Sequence, residues 1–196
     1  MTKPTFTKKN ITNEEINALP LDAFSGEIVV VEDARSFPDV FSEISEHGVA
    51  GFDTETKPVF VSGQLNQVAL MQIALQEKVF LIRLNKTGLQ QEILHFLESE
   101  NVLKVGVALR DDIKALQRLK KFEPHGVVEL ADLAKRASLE VEGVKRLTAI
   151  LLGFRISKSS QTSNWESPIL NEKQISYAAT DAWVCLQIFK KLKSYW

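Results

Sequence analysis

The stretch GFDTETKP at residues 51–58 places two acidic side chains, Asp53 and Glu55, at the end of an apolar strand pattern. The residues before it, GVAGF, read as a buried strand. Two further apolar strand patterns follow it, QVALMQIALQ at 67–76 and KVFLIRL at 78–84. Three successive strands with no helical pattern between them predict an antiparallel meander.

Strand and helix patterns alternate outward from this meander. A strand (27–33) and a helix (36–47) precede it. After it we predict a helix at 88–100, a strand at 102–109, a helix at 110–122, a strand at 126–130, and helices at 131–137, 143–153 and 171–196. This order predicts an α/β fold, with a mixed sheet in which crossover helices add parallel strands to the meander. We expect one domain at 27–196, preceded by an N-terminal arm at 1–26 that carries a helix-capping pattern, Thr12 to Glu15.

Composition excludes several classes of protein. The net charge of −1 over 196 residues excludes the strongly basic footprint of a high-affinity DNA-binding protein. The one cysteine, Cys185, cannot form an internal disulfide and falls on an apolar helical pattern. His47, His95 and His125 have no metal-ligand spacing, so zinc is not expected.

There is no secretory signal pattern and no apolar run long enough for a membrane span, so we expect a cytoplasmic protein without membrane contact. The sequence does not indicate an oligomeric state.

Asp53 and Glu55 lie two residues apart, and side chains at that spacing share one face of a strand. Two neighbouring carboxylates repel each other unless a cation lies between them, and oxygen ligands suit Mg²⁺ or Mn²⁺. The alternative is that the strand ends at Phe52 and both acids are solvated loop residues.

A second acidic candidate lies in GVALRDDIKAL at 106–116. Here a helix is expected to start at Asp111 or Asp112, where acids are common because they complement the helix dipole. Asp112 shares its helix face with three leucines and is therefore expected to point toward the sheet. Asp111 shares its face with charged residues and is expected to be solvated and to cap the helix.

A third candidate is ISYAATDAW at 175–183, where Tyr177 and Asp181 stand one helical turn apart beside an apolar stripe. The pair alone could equally be a buried hydrogen bond. Taken together, Asp53, Glu55, Asp112 and Asp181 form an all-carboxylate set without a soft ligand. Such a set fits two hard cations about 3.5–4 Å apart, the arrangement used for in-line displacement at a phosphodiester.

The motifs FDTET, VGVALRDD and YAATD resemble the three exonuclease motifs of the DEDD 3′–5′ exonucleases, and the Tyr-x-x-x-Asp form of the third motif is that of the DEDDy branch. The element QTSNWESPIL at 161–170, which precedes the third motif, is also similar to this family. The likeness is greatest to ribonuclease D and to the Werner-syndrome helicase exonuclease domain. It extends from about residue 28 to the end of the sequence.

The resemblance implies a ribonuclease H-like mixed sheet flanked by helices and a two-metal-ion mechanism with Mg²⁺ or Mn²⁺. It implies that Asp53, Glu55 and Asp181 bind the metal that holds the attacking water, and that Tyr177 orients this water. Asp53, with Asp112 through water, is implied to hold the second metal. The implied activity is release of nucleoside 5′-monophosphates from single strands or 3′ ends of DNA or RNA.

The resemblance leaves substrate binding open. No helicase part and no additional nucleic-acid-binding domain follows within the sequence, so binding is expected to rest on the site, its metals and nearby bases. Three lysines lie near the motifs: Lys57, Lys114 and Lys158. Each could contact a phosphate or be a solvated surface charge. Trp165 could stack on a base or pack internally, and Leu70 and Met71 could line the terminal base or belong to the core. The alternative function is a catalytically silent, nuclease-like module that binds RNA or protein.

Overall fold

The computed structural model describes residues 5–58 and 66–196. One sheet contains β1 (Glu27–Val31), β2 (Val49–Thr56), β3 (Val68–Ala74), β4 (Lys78–Ile82), β5 (Leu103–Gly106) and β6 (Val127–Glu129). The helices of these ranges are α1 (Asn13–Ala18), α2 (Phe37–Ser45), α3 (Leu84–Thr87), α4 (Gln91–Glu98), α5 (Leu109–Leu119), α6 (Leu130–Arg136), α7 (Val144–Leu152) and α8 (Glu172–Leu192). The predicted α/β fold is confirmed.

The sheet has the strand order β1-β4-β3-β2-β5-β6. The predicted meander is present, because β2 pairs antiparallel with β3 and β3 antiparallel with β4. β5 and β6 continue the sheet parallel to β2, and β1 pairs parallel with β4. Because β2 and β5 are parallel neighbours, their carboxyl ends meet at the same edge of the sheet. This edge receives the first acidic motif and the start of α5.

Helices cover both faces of the sheet, as expected for a mixed sheet with crossover connections. One apolar cluster includes Phe37 of α2, Phe96 of α4 and Leu116 of α5, packed with Phe52 of β2. A second cluster joins α6, α7 and α8, and a third lies between α8 and the meander. Burial of each such side chain contributes about 1.5–3 kcal/mol, so the helices that carry the motifs are fixed against the sheet.

Gly51 of β2 allows α8 to approach the sheet backbone closely. A Cβ atom at this position would lie 2.0 Å from the carbonyl oxygen of Ala182, far inside van der Waals contact. Any side chain here would therefore displace α8. Because Ala182 follows Asp181, this close approach brings Asp181 next to the end of β2.

The N-terminal arm, of which residues 5–26 are described, packs on the domain. Thr12 and Glu15 form the predicted capping box at α1, and Ile16 is fully buried. The arm also pairs with the segment after α7: Asp22 N–H donates to the Arg155 carbonyl, and Arg155 N–H donates to the Pro20 carbonyl. Within the described ranges, none of the helices has the length and hydropathy that crossing a bilayer requires.

The helix predicted at 88–100 is confirmed as α4 (Gln91–Glu98). The short helix α3 (Leu84–Thr87), which the sequence did not predict, precedes it and ends at Gly88. Gly88 has a φ of 68°, a conformation that glycine adopts readily and that ends a helix. The predicted helix stop at Gly153 is confirmed, with a φ of 79°.

Candidate active site

β2 presents Asp53 and Glu55 on the sheet face that α8 covers. Gly51 meets α8 on this face, and alternation along the strand puts positions 53 and 55 on the same side. Both acids lie inside β2 and are half-buried, so they are not solvated loop residues. Thr54 points to the opposite face. The prediction that these two carboxylates lie together is confirmed.

α8 brings Tyr177 and Asp181 to the same place. Its start is fixed by a capping box between Asn171 and Gln174, each side chain accepting from the other's backbone N–H. The helix then runs for 21 residues, with Tyr177 and Asp181 one turn apart on its buried face. Asp181 is only 3% exposed, which is unusual for a carboxylate.

The carboxylates of Asp53, Glu55 and Asp181 converge. One oxygen from each can be chosen so that all three lie within 4.8 Å of one another. The Asp181 Oδ1 atom is buried and has no hydrogen-bond partner among the residues that the structure describes. A buried, unpartnered carboxylate oxygen is costly. The geometry therefore matches a cation site formed by one strand and one helix.

Asp112 lies beside this group rather than in it. The Thr54 hydroxyl donates to Asp112 Oδ1 at 2.5 Å. This hydrogen bond joins α5 to the face of β2 opposite the one that carries Asp53 and Glu55. Asp112 is half-buried and Asp111 is exposed. The prediction that Asp112 points toward the sheet and Asp111 toward solvent is confirmed. The assignment of Asp112 as a metal ligand stays a prediction.

The start of α5 differs from the sequence prediction. The helix begins at Leu109, and Asp111 does not cap it. The Glu129 carboxylate at the end of β6 instead accepts from the N–H groups of Ala108 and Leu109, at 3.0 and 2.9 Å. Ala108 has a φ of 61°, a left-handed conformation that is strained for alanine. Sequence reasoning missed Glu129, although an acid ending a strand was a visible signal.

Lys158 provides the positive charge nearest the acidic group. Its Nζ lies 3.3 Å from Asp181 Oδ2 and 5.6 Å from the centre of the Tyr177 ring. The side chain is 29% exposed. The sequence left Lys158 open as a phosphate contact or a solvated charge, and the structure shows that it is not fully solvated. By contrast, Lys57 pairs with Glu166 at 3.4 Å, and Lys114 is exposed.

Burial and mutual repulsion disfavour negative charge in the site. Burial, followed by the charges of Asp112, Asp181 and Glu55, raises the pKa of Asp53 well above its usual value. Burial and then Asp181 raise the pKa of Glu55 to about 8, against the opposing charge of Lys158. Burial raises the pKa of Asp112 to about 6 and also raises that of Asp181. Tyr177, buried beside these acids, has a raised pKa and remains a protonated hydroxyl.

These residues fit divalent cations of the Mg²⁺ or Mn²⁺ type. The donor set consists of carboxylate oxygens with a tyrosine hydroxyl nearby, which is the chemistry that hard cations prefer. A bound cation would give the Asp181 Oδ1 atom a partner and would favour the charged form of these acids, which their burial disfavours.

A cavity of about 500 Å³ opens over the acids. Lys158 lines it together with Lys145 and Arg146, from the first turn of α7. Sequence reasoning missed these two basic residues, because their place beside the site depends on how α7 packs on α8. The lining of the cavity thus contains both the carboxylates and these three basic side chains.

The other sequence candidates belong to the core or the surface. Trp165 is fully buried, with its ring centre 5.9 Å from that of Tyr177, and it packs internally. Leu70 and Met71 are also fully buried, and Cys185 is a buried free thiol. His47, His95 and His125 are exposed.

Known proteins share this sequence pattern and fold. The bifunctional 3′–5′ exonuclease/ATP-dependent helicase WRN of Mus musculus is 33% identical over 184 residues, which cover 89% of this chain. The crystal structure of the Aedes aegypti Nibbler EXO domain superposes with a TM-score of 0.79 at 23% identity, covering 89% of this chain and 92% of that one. Escherichia coli RNase D gives 0.78 at 20% identity, covering 86% of this chain and 45% of that one.

The curated relatives are longer than this chain, which spans 13% of the mouse protein. The two structural likenesses lie below 25% identity and show the fold, which is that of exonuclease domains. A sequence model described as 3′–5′ exonuclease matches residues 28–195, nearly the whole sequence. The chain therefore belongs to the 3′–5′ exonuclease family.

Proposed function

We propose that the protein is a divalent-cation-dependent 3′–5′ exonuclease that hydrolyses phosphodiester bonds and releases nucleoside 5′-monophosphates. The observation that carries this proposal is the convergence of Asp53, Glu55 and Asp181 within 4.8 Å. Two bound cations, Mg²⁺ or Mn²⁺, would supply an activated water and stabilise the charge that develops on the leaving 3′ oxygen.

The side chains of the chain have distinct roles in this proposal. Asp53, Glu55 and Asp181 would hold the cation that activates the water, and Asp53, with Asp112 through water, would hold the second. The Tyr177 hydroxyl, protonated at neutral pH, orients the attacking water by hydrogen bonding. Tyr177 stands one turn before Asp181 on α8, which supports assignment to the DEDDy branch.

The proposed substrate is a nucleic acid with a free 3′ end. Lys145, Arg146 and Lys158 line the cavity and would contact backbone phosphates. Among similar solved structures, Trypanosoma brucei RNase D is described in complex with RNA and Brucella melitensis NrnC bound to pGG. RNA is therefore one candidate substrate, and DNA is the other because the acidic group acts on the phosphodiester, which both nucleic acids contain.

A catalytically silent binding module is the second candidate function. Such a module needs no cation ligands, and carboxylates buried without a cation lower stability. This chain contains the three converging acids, Asp112 and Tyr177. The cost of burying these acids favours catalysis over binding alone.

The test uses 5′-labelled DNA and RNA oligonucleotides of one sequence, as single strands and as duplexes with recessed 3′ ends. With Mg²⁺ or Mn²⁺ we expect a ladder that shortens from the 3′ end and disappears with chelator. The better substrate identifies the nucleic acid. Internal cuts would indicate an endonuclease instead. Binding without cleavage under all conditions would support the silent module.

Lys158→Met is expected to lower kcat/KM for oligonucleotides roughly tenfold, the effect of losing about 1.5 kcal/mol from one charged hydrogen bond. At the same time it is expected to strengthen Mn²⁺ binding, because the ammonium at Asp181 no longer competes with the cation. Kinetics and calorimetric titration measure the two effects. Lys114→Met, an exposed matched control, should change neither. Weaker Mn²⁺ binding in Lys158→Met would contradict this role.

A further inference from the structure

Gln72 is a fully buried polar residue next to the acidic group. In the register of β2 and β3 it stands directly opposite Asp53. Paired residues of antiparallel strands project to the same face, with Cβ atoms about 4.5–5.5 Å apart. Gln72 is 0% exposed, and within residues 5–58 and 66–196 neither its Nε2 nor its Oε1 has a hydrogen-bond partner.

The neighbours of Gln72 in the sheet are apolar apart from Asp53. Its partner on β4 is Leu81, and its neighbours on the same face of β3 are Leu70 and Ala74. α8 covers this layer with alanines. Leaving a buried donor or acceptor unpaired costs about 1–3 kcal/mol, so an apolar residue would be more stable here. The polar group nearest in the sheet register is the Asp53 carboxylate.

Asp53 has room for a further donor. One of its oxygens, Oδ1, accepts from the Thr54 N–H at 2.9 Å. The carboxylate must also keep one orientation to share a cation with Glu55 and Asp181. Loss of a hydrogen bond that holds a ligating side chain typically weakens metal binding or activity by about 10–100-fold.

We propose that Gln72 is a positioning residue: in the cation-loaded protein its amide Nε2 donates to the Asp53 carboxylate and fixes it for cation binding. The inference rests on the proposed function and adds to it a residue outside the three acidic motifs. The amide does not contact the substrate, and it acts through Asp53. Its effect should therefore be visible in cation affinity without any substrate.

The test is calorimetric titration of Mn²⁺ into cation-free protein, together with thermal melts. Gln72→Met keeps the length of the side chain and removes the amide, and Gln72→Leu is a second apolar variant. Thr148→Val is the matched control: Thr148 lies on α7, and its hydroxyl is also buried without a partner in the part of the chain that the structure describes. We expect Gln72→Met to bind Mn²⁺ about tenfold more weakly, with an equal or higher Tm. Thr148→Val should keep wild-type affinity.

Three results would overturn the inference. Mn²⁺ affinity within twofold of wild type in a folded apolar variant would show that Gln72 does not position Asp53. An equal loss of affinity in Thr148→Val would show that any buried polar group has the same effect. Absence of Mn²⁺ binding by the wild-type protein would remove the cation site itself, and the proposed function would then fail first.

Discussion

The Asp53→Asn variant is expected to lose cation-dependent cleavage by roughly 10³-fold or more, because Asp53 contributes to both proposed cation positions. The substitution keeps the shape of the side chain and removes its charge. Asp53 is crowded by three other carboxylates, so loss of its charge relieves repulsion. The free energy of unfolding should therefore be unchanged or slightly higher. Single-turnover cleavage and chemical denaturation measure the two quantities.

Asp111→Asn is the matched control for this variant. Asp111 is exposed and adjacent to Asp112, so it tests whether any acid near the site affects cleavage. We expect wild-type activity from it. Asp181→Asn should behave like Asp53→Asn. Activity within tenfold of wild type in Asp53→Asn, or loss of cooperative unfolding, would assign a structural role to that acid.

Without a divalent cation, the stability of the protein is expected to fall as pH rises from about 4 to about 8. Glu55 titrates near 8 when folded instead of 4.5, and Asp112 near 6 instead of 3.8, chiefly because both are buried. Between these values the folded protein retains protons that the unfolded chain has released, so rising pH favours unfolding. The part of the loss that comes from Glu55 and Asp112 is absent below their unfolded pKa values and complete above pH 8.

A divalent cation should reverse this loss at high pH. At 100 times its dissociation constant a ligand adds about 2.7 kcal/mol, which raises the Tm of a protein of this size by about 5–10 °C. The shift should be much smaller at pH 5, where protons compete for the same oxygens. Melts at pH 5 and pH 8, with Mn²⁺ or with chelator, test both statements. An equal shift at the two pH values, or in Asp53→Asn, would place the cation elsewhere.

The part of the site on regular elements could be predicted from sequence. The two-residue spacing in β2 gave Asp53 and Glu55 a common face, and the four-residue spacing in α8 did the same for Tyr177 and Asp181. The leucines of α5 correctly separated Asp112 from Asp111. In each case one local period decides where a side chain points.

The basic side of the site could not be predicted in the same way. Lys158 lies in an irregular segment whose path depends on the N-terminal arm, through the hydrogen bonds of Arg155. The start of α5 was misplaced because its N–H groups are satisfied by Glu129, twenty residues further along the chain. In the sequence, Gln72 is a single polar residue in an apolar strand pattern. Only the register of β2 and β3 shows that it lies opposite Asp53. These features depend on tertiary contacts, which the spacing of residues within one helix or strand does not predict.

The central claim is that the acidic group removes single nucleotides from a 3′ end by attack of water at the terminal phosphodiester. The most direct measurement uses an oligonucleotide whose last internucleotide phosphate is radiolabelled, with product separation by chromatography. The account predicts that the label appears first as a nucleoside 5′-monophosphate, only with Mg²⁺ or Mn²⁺, and not with Asp53→Asn. Label in longer fragments, in a 3′-phosphate product or only in intact substrate would contradict it.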